Sequence, residues 1–207
     1  LLSEIEKLVY ADRAKYLGDP DFHNVPIFEL TNYNYNKDRV KSIDLLQARS
    51  SDSISEGSFQ YQESEETTHF SVVDNKGNMV SLTYTLEFGY GSHIVVGGAG
   101  FLLNNEMGDF NAIPGLTNAS GRIGTIPNRI RPEQRMLSSM TPTIVAKNGI
   151  PLFATGTPGG KTIINTTMQT ILNVVDHGMT IAESIEAPRI HHQWLPDVTS
   201  FEKIGIS

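Results

Sequence analysis

Cysteine is absent from this 207-residue chain. That excludes a disulfide framework, thiolate catalysis and any Cys-ligated metal. Positive charge is scarce, with 16 Lys and Arg against 23 Asp and Glu and a net charge of −7. A broad nucleic-acid surface needs the opposite balance, so that class is set aside. No apolar run is long enough to span a membrane. Leu1-Leu2-Ser3-Glu4 lacks the basic start and long apolar region of a signal peptide. It reads as the middle of a helix, and the chain is expected to be a piece of something longer. No internal repeat is visible. What is present suffices for a core: 39% hydrophobic and 19% charged residues, enough for one substantial domain or two small ones.

Ser3 to Leu17 has helical spacing, with Ile5, Leu8, Val9 and Tyr16 expected inward. Gly18-Asp19-Pro20-Asp21 stops it. A second helix is expected from Asn36 to Ala48, with Val40, Ile43 and Leu46 or Gln47 inward. Arg49 to Glu66 is polar and aperiodic, and reads as a linker. Two apolar runs flank Asn148-Gly149, a strong hairpin signal. A helix is expected over about Thr162 to Asp176, buried through Ile164, Met168, Ile171, Leu172 and Val175, and closed by His177-Gly178. Thr180 begins a shorter helix ending before Pro188, and Ile190 to Trp194 reads as a last strand. Strands followed by helices suggest sheets covered by helical layers.

The organising stretch is Glu66-Thr67-Thr68-His69-Phe70-Ser71-Val72-Val73-Asp74. A three-residue loop at Asn75-Lys76-Gly77 sets the register of a hairpin. Val72 then faces Val80, Phe70 faces Leu82, Ser71 faces Ser81, His69 faces Thr83 and Thr67 faces Thr85. Apolar pairs with apolar and polar with polar, as one buried face requires. Thr67 is the candidate nucleophile, a hydroxyl at the start of a rigid strand with a polar segment before it. Such a junction suits a self-cleaving hydrolase, with Glu66–Thr67 as the scissile bond. An ordinary half-buried hairpin with a Thr-rich polar face accounts for the same pattern.

Other candidates have equally plain alternatives. Gly156-Thr157-Pro158-Gly159-Gly160-Lys161-Thr162 is one residue short of a P-loop. Glycines at a strand-to-helix turn do expose N–H groups suited to an oxyanion, and they also serve tight turns. Glu106 and Asp109 could grip an ammonium group or simply be solvated. Ser138-Ser139 could hold a carboxylate or cap a helix. His191 and His192, as strand neighbours, point to opposite faces and make a poor metal pair. Ala112 to Arg135 is a long Pro/Gly/Asn-rich loop, of a length that is commonly functional. Together these residues would hold an amino acid bearing an acyl side chain.

Thr67-Thr68-His69-Phe70-Ser71-Val72-Val73-Asp74 strongly resembles the start of the small subunit of γ-glutamyltransferases (γ-glutamyltranspeptidases), which are N-terminal-nucleophile hydrolases. The likeness continues through Leu103-Asn104-Asn105-Glu106-Met107, Leu137-Ser138-Ser139-Met140-Thr141-Pro142-Thr143, Pro158-Gly159-Gly160 and Ala187-Pro188-Arg189. Upstream, Tyr10-Ala11-Asp12-Arg13 and Tyr16-Leu17-Gly18-Asp19-Pro20 resemble the end of the family's large subunit.

The resemblance implies an α+β fold, a four-layer αββα sandwich. It implies residues 1–66 as the tail of the large subunit with its pre-cleavage linker, and 67–207 as the small subunit, cut short. It implies a break between Glu66 and Thr67, after which Thr67 attacks glutathione or another γ-glutamyl amide. The acyl group passes to water or to an acceptor amino acid or peptide. Thr85 would support Thr67, and Gly159 and Gly160 would hold the oxyanion. Glu106 and Asp109 would bind the α-amino group, Ser138 and Ser139 the α-carboxylate, and Glu87 would contact substrate. No cofactor or metal is implied. The large subunit is the implied partner, and a periplasmic or secreted location is expected. Glu87 stands where many members have Asn, Glu106 where Gln is frequent, and Met136 where Pro is usual. Ala112–Arg135 resembles the lid of some members. The isolated chain is expected to be inactive. A related cephalosporin or glutaryl acylase, or a nucleotide-binding module using Gly159–Thr162, are the alternative functions.

Overall fold

The computed structural model describes residues 1–54, 67–111, 113–118 and 120–203. Glu66 and most of the expected linker lie outside the described residues. The chain mixes helices and strands and divides into two compact units that interleave along the sequence. One comprises Leu1–Gln62, Met107–Ser138 and His191–Ser200; the other comprises Glu63–Glu106, Ser139–Ile190 and Phe201–Ser207.

The second of these is built on two hairpins and a helix. β1 (Thr67–Val73) and β2 (Met79–Thr85) pair antiparallel in the expected register, from Thr67 opposite Thr85 to Val73 opposite Met79. The turn is locked by Asp74, whose Oδ1 accepts from the N–H of Lys76 at 2.8 Å and of Asn78 at 2.9 Å. Gly77 takes φ +82°, where a side chain would strain the backbone. β3 (Thr143–Lys147) and β4 (Ile150–Thr155) form the second hairpin. Asn148 and Gly149 both have positive φ, as a two-residue primed turn requires.

The faces of the first hairpin are reversed from expectation. Phe70, Val72, Val80, Leu82 and Tyr84 are exposed. The polar face instead turns toward β4, where the Ser81 hydroxyl donates to the Thr155 carbonyl at 3.0 Å. Pairing rules fix which residues share a face; they do not say which face the chain itself covers.

α4 (Thr162–Val175) and α5 (Ile181–Glu186) follow. The deeply buried positions of α4 are Ile163, Asn165, Thr167, Gln169 and Thr170, while Val175 is exposed, so the expected apolar stripe is the less buried side. Side-chain amides explain the difference. Gln169 Nε2 donates to the Ile190 carbonyl at 2.7 Å, and its Oε1 accepts from the Ile190 N–H at 3.0 Å, mimicking a strand neighbour. α5 opens with a reciprocal capping box between Thr180 and Glu183. The expected last strand is reduced to β5 (Ile190–His191), paired with β6 (Ser200–Phe201).

The first unit is organised on α1 (Leu2–Tyr16). Leu8, Tyr10, Ala11 and Ala14 are buried as an apolar seam, but so are Glu4, Glu6 and Lys7, and Val9 is exposed. Two of these charges, Glu4 and Lys7, are paired: Lys7 Nζ lies 3.1 Å from Glu4 and 3.0 Å from Asp197, and Arg49 Nε lies 3.0 Å from Glu4. α2 (Ile27–Leu30) and α3 (Tyr33–Val40) come next. α3 starts and ends earlier than the Asn36–Ala48 helix expected. Asn32 caps it by accepting from the N–H groups of Asn34 and Tyr35. Its contacts with α1 are polar, through Tyr35 and Arg39 to Asp12, which leaves Val40 and Leu46 exposed.

Candidate active site

Thr67 is the first residue of β1 and is half-buried on the inward face with His69 and Thr83. Directly opposite, Thr85 ends β2. The Thr85 hydroxyl oxygen accepts the Glu87 N–H at 2.9 Å, which fixes its position. Two expected residues are thus brought together by backbone register alone.

Beyond β2 the chain turns sharply at Glu87, which has φ +74° and is buried. The turn is held from 104–106: the Asn105 N–H donates to the Leu86 carbonyl at 3.0 Å, and Asn105 Oδ1 accepts from Phe88 at 3.2 Å. Glu106, also buried, therefore follows a stretch laid beside Glu87. Its own N–H donates to Asn104 Oδ1 at 3.1 Å.

The glycine turn joins β4 to α4. Gly159 has φ +127° and Gly160 φ +54°. The Gly159 carbonyl accepts from the Thr162 N–H at 3.1 Å and from its hydroxyl at 2.7 Å. Such a turn presents N–H groups next to the start of a helix, where the dipole favours negative charge. It is docked on the first hairpin by Ser81 at Thr155 and by His69, whose ring lies so close to Gly156 that any Cβ there would collide.

His69 is a linking residue that sequence reasoning paired correctly but assigned no task. Its Nδ1 lies 2.8 Å from the Thr83 hydroxyl and its Nε2 3.2 Å from that of Ser71. Burial pushes its pKa down, favouring the neutral ring. The available signal was spacing: two residues after Thr67 on a strand means the same face.

Asp109 and Ser138 belong to the first unit. Asp109 ends a short 3-10 turn, Glu106–Asp109, and its carbonyl accepts from Asn128 Nδ2 at 2.7 Å. Ser138 is exposed and Ser139 half-buried in an irregular stretch before β3. No helix begins there, so Ser138 and Ser139 do not cap one; β3 starts at Thr143 instead. The long loop that ends at Arg135 is anchored in its second half. Pro127 and Asn128 are buried, Gln134 Nε2 donates to the Pro127 carbonyl at 3.0 Å, and Arg135 grips Asp19. His191 and His192 go separate ways, to Gln193 at 2.9 Å and Asp197 at 3.1 Å. Among the described residues no helix is long and apolar enough to cross a membrane.

The model of the γ-glutamyltranspeptidase family matches residues 1–207. The chain belongs to this family. A glutathione hydrolase proenzyme of Escherichia coli is 49% identical over 203 residues, covering 98% of this chain and 35% of the relative. A solved γ-glutamyltranspeptidase of Helicobacter pylori is 51% identical, covering 68% of this chain and 75% of that one, with a TM-score of 0.63. The cephalosporin acylase of Bacillus halodurans superposes at a TM-score of 0.69 with 25% identity, covering 91% of this chain and 32% of that one. The chain thus spans about 35% of the length of the curated relative.

Proposed function

We propose that the full-length protein containing this chain is a self-cleaving γ-glutamyl hydrolase and transferase. The observation that best supports this is the Thr67–Thr85 pair at the open end of the first hairpin, with the glycine turn docked on the same face. Before cleavage Thr67 has no free amine. Its hydroxyl attacks the Glu66 carbonyl, the C–N bond breaks as the ester forms, and water opens the ester. The released α-amine, with an ordinary pKa near 8, then takes the hydroxyl proton. Thr67 Oγ attacks the γ-carbonyl of glutathione or a similar amide, and the proton passes to the leaving amine. Water or an acceptor amine next attacks the γ-glutamyl ester and restores Thr67.

In this reading Gly159 and Gly160 stabilise the oxyanion and Thr85 supports the nucleophile. Glu106 and Asp109 take the α-amino group, Ser138 and Ser139 the α-carboxylate, and Glu87 lies against substrate. The large subunit of the same precursor is the partner. Residues 1–66 and 67–207 are the two sides of the cut, a division by cleavage rather than by packing. The exposed apolar face of the first hairpin is in keeping with a four-layer αββα sandwich completed by that partner. The location proposed is periplasmic or secreted.

A second reading is favoured by the acylase superposition: an N-terminal-nucleophile acylase acting on glutaryl-type amides. Assay of the full-length protein on L-γ-glutamyl-p-nitroanilide and glutaryl-p-nitroanilide decides. The first reading predicts preference for the amino-bearing substrate, lost when Asp109 is replaced by Asn. Equal or greater activity on the glutaryl amide would overturn it.

A further inference from the structure

Asn128 closes the short 3-10 turn Ile126–Asn128 and is buried, with 6% of its surface exposed. Its side chain joins the 3-10 turn that ends at Asp109 to the irregular stretch that leads into Ser138. Nδ2 donates to the Asp109 carbonyl at 2.7 Å, and Oδ1 accepts from the Leu137 N–H at 2.9 Å. Only one orientation of the amide satisfies both, since reversing it would set oxygen against carbonyl and N–H against N–H. The residue's own carbonyl accepts the Asn111 N–H at 2.8 Å, so the strut is held by backbone as well.

The strut is braced from behind. Gly18 passes so close to the Pro127 carbonyl that a Cβ would collide with it. Asp19 accepts from the Arg135 N–H at 2.8 Å and from Nε at 3.0 Å. The Asn111 side chain donates to the Thr125 carbonyl at 2.8 Å. An amide fixed in this way sets the spacing between the main chain of Asp109 and the residue immediately before Ser138.

We infer that Asn128 is a positioning residue for the α-amino-acid end of the substrate, holding the ammonium-binding Asp109 and the carboxylate-binding Ser138 in mutual register. The inference rests on the γ-glutamyl reading above. An amino acid carries its ammonium and carboxylate on one carbon, so the groups that receive them must keep a fixed separation, to within about 0.5 Å for tight recognition. The side-chain partners of Asn128 are the main chain of Asp109 and of Leu137, so its loss falls on binding.

The test uses the full-length protein as wild type, Asn128→Asp and Asn128→Ser. Asp is isosteric but places an oxygen against the Asp109 carbonyl; Ser is too short to span both partners. Cleavage before Thr67 is read by intact mass, and KM and kcat are measured on L-γ-glutamyl-p-nitroanilide. The expected result is normal cleavage, a KM raised about tenfold or more, and a kcat within about threefold of wild type. A KM within about twofold of wild type in a cleaved variant overturns the inference. So does failure of both variants to cleave, which would make the residue a folding element only. A wild-type protein inactive on this substrate would instead remove the γ-glutamyl reading itself.

Discussion

The first hairpin and the 107–138 segment position candidate site residues by different means. In the hairpin, Thr67 meets Thr85 through a ladder of backbone bonds that seven residue pairs share. In 107–138, Asp109 and Ser138 depend on single side chains, chiefly Asn128, Gln134 and the Asp19–Arg135 pair. A ladder is redundant, so most single substitutions leave its register intact. A set of individual struts is not, and each is a point of failure.

The largest expected effect lies between these cases, in the glycine turn. Gly159→Val forces a β-branched residue into φ +127° and drives its Cβ into the Thr162 side chain. If the turn supplies oxyanion donors, kcat falls about 10²–10³-fold. A loss under threefold would show that the turn serves geometry alone.

Cutting a strut comes next. Asp19→Ala removes the buried acceptor of Arg135 and leaves it only the exposed Asp21, and KM is expected to rise about tenfold with a lower Tm. Arg135 holds the Asp19 carboxyl well below the usual carboxylate range. A depressed folded pKa gives stability that is present above the unfolded value near 4 and lost as pH falls beneath it. The Tm difference between wild type and variant should therefore shrink below about pH 4.

Burial gives Glu6 the opposite sign. Its pKa is raised from 4.5 to about 7. The neutral form favours the fold, so its contribution is full below 4.5 and lost as pH rises through 7. Glu6→Gln should match wild type in Tm at pH 4 and exceed it by a few degrees at pH 8. No gap at pH 8 would mean the acid is ionised without cost.

A side-chain deletion on a ladder strand should yield least, because the backbone bonds that set the register remain. Ser81→Ala deletes one hydroxyl-to-carbonyl bond at Thr155 and is expected to cost about 1 kcal/mol. That corresponds to a fall in Tm of about 2–4 °C, with KM unchanged. A large rise in KM would erase the contrast between ladder and strut.

The same contrast explains what could be read from the sequence. Hairpin register follows from local alternation and turn chemistry, so the Thr67–Thr85 pairing and the Asn148-Gly149 turn were legible. The capping box at Thr180 is equally local. Asn128 carries no such signal: it is one polar residue in a Pro-rich loop, and its partners lie 19 and 9 positions away. The buried face of α4 was misread because Gln169 substitutes for a strand neighbour. That of α1 was misread because Glu4 and Lys7 are buried as ion pairs, which hydrophobic periodicity does not register.

The central claim is that Thr67 is both the cutting residue and the nucleophile. Intact-mass analysis of the full-length protein, as wild type and as Thr67→Ala, tests it most directly. The account predicts wild type in two pieces divided between Glu66 and Thr67, and the variant as one uncut chain without γ-glutamyl turnover. A break at the same bond in the variant, or an uncut wild type that still turns over substrate, would contradict it.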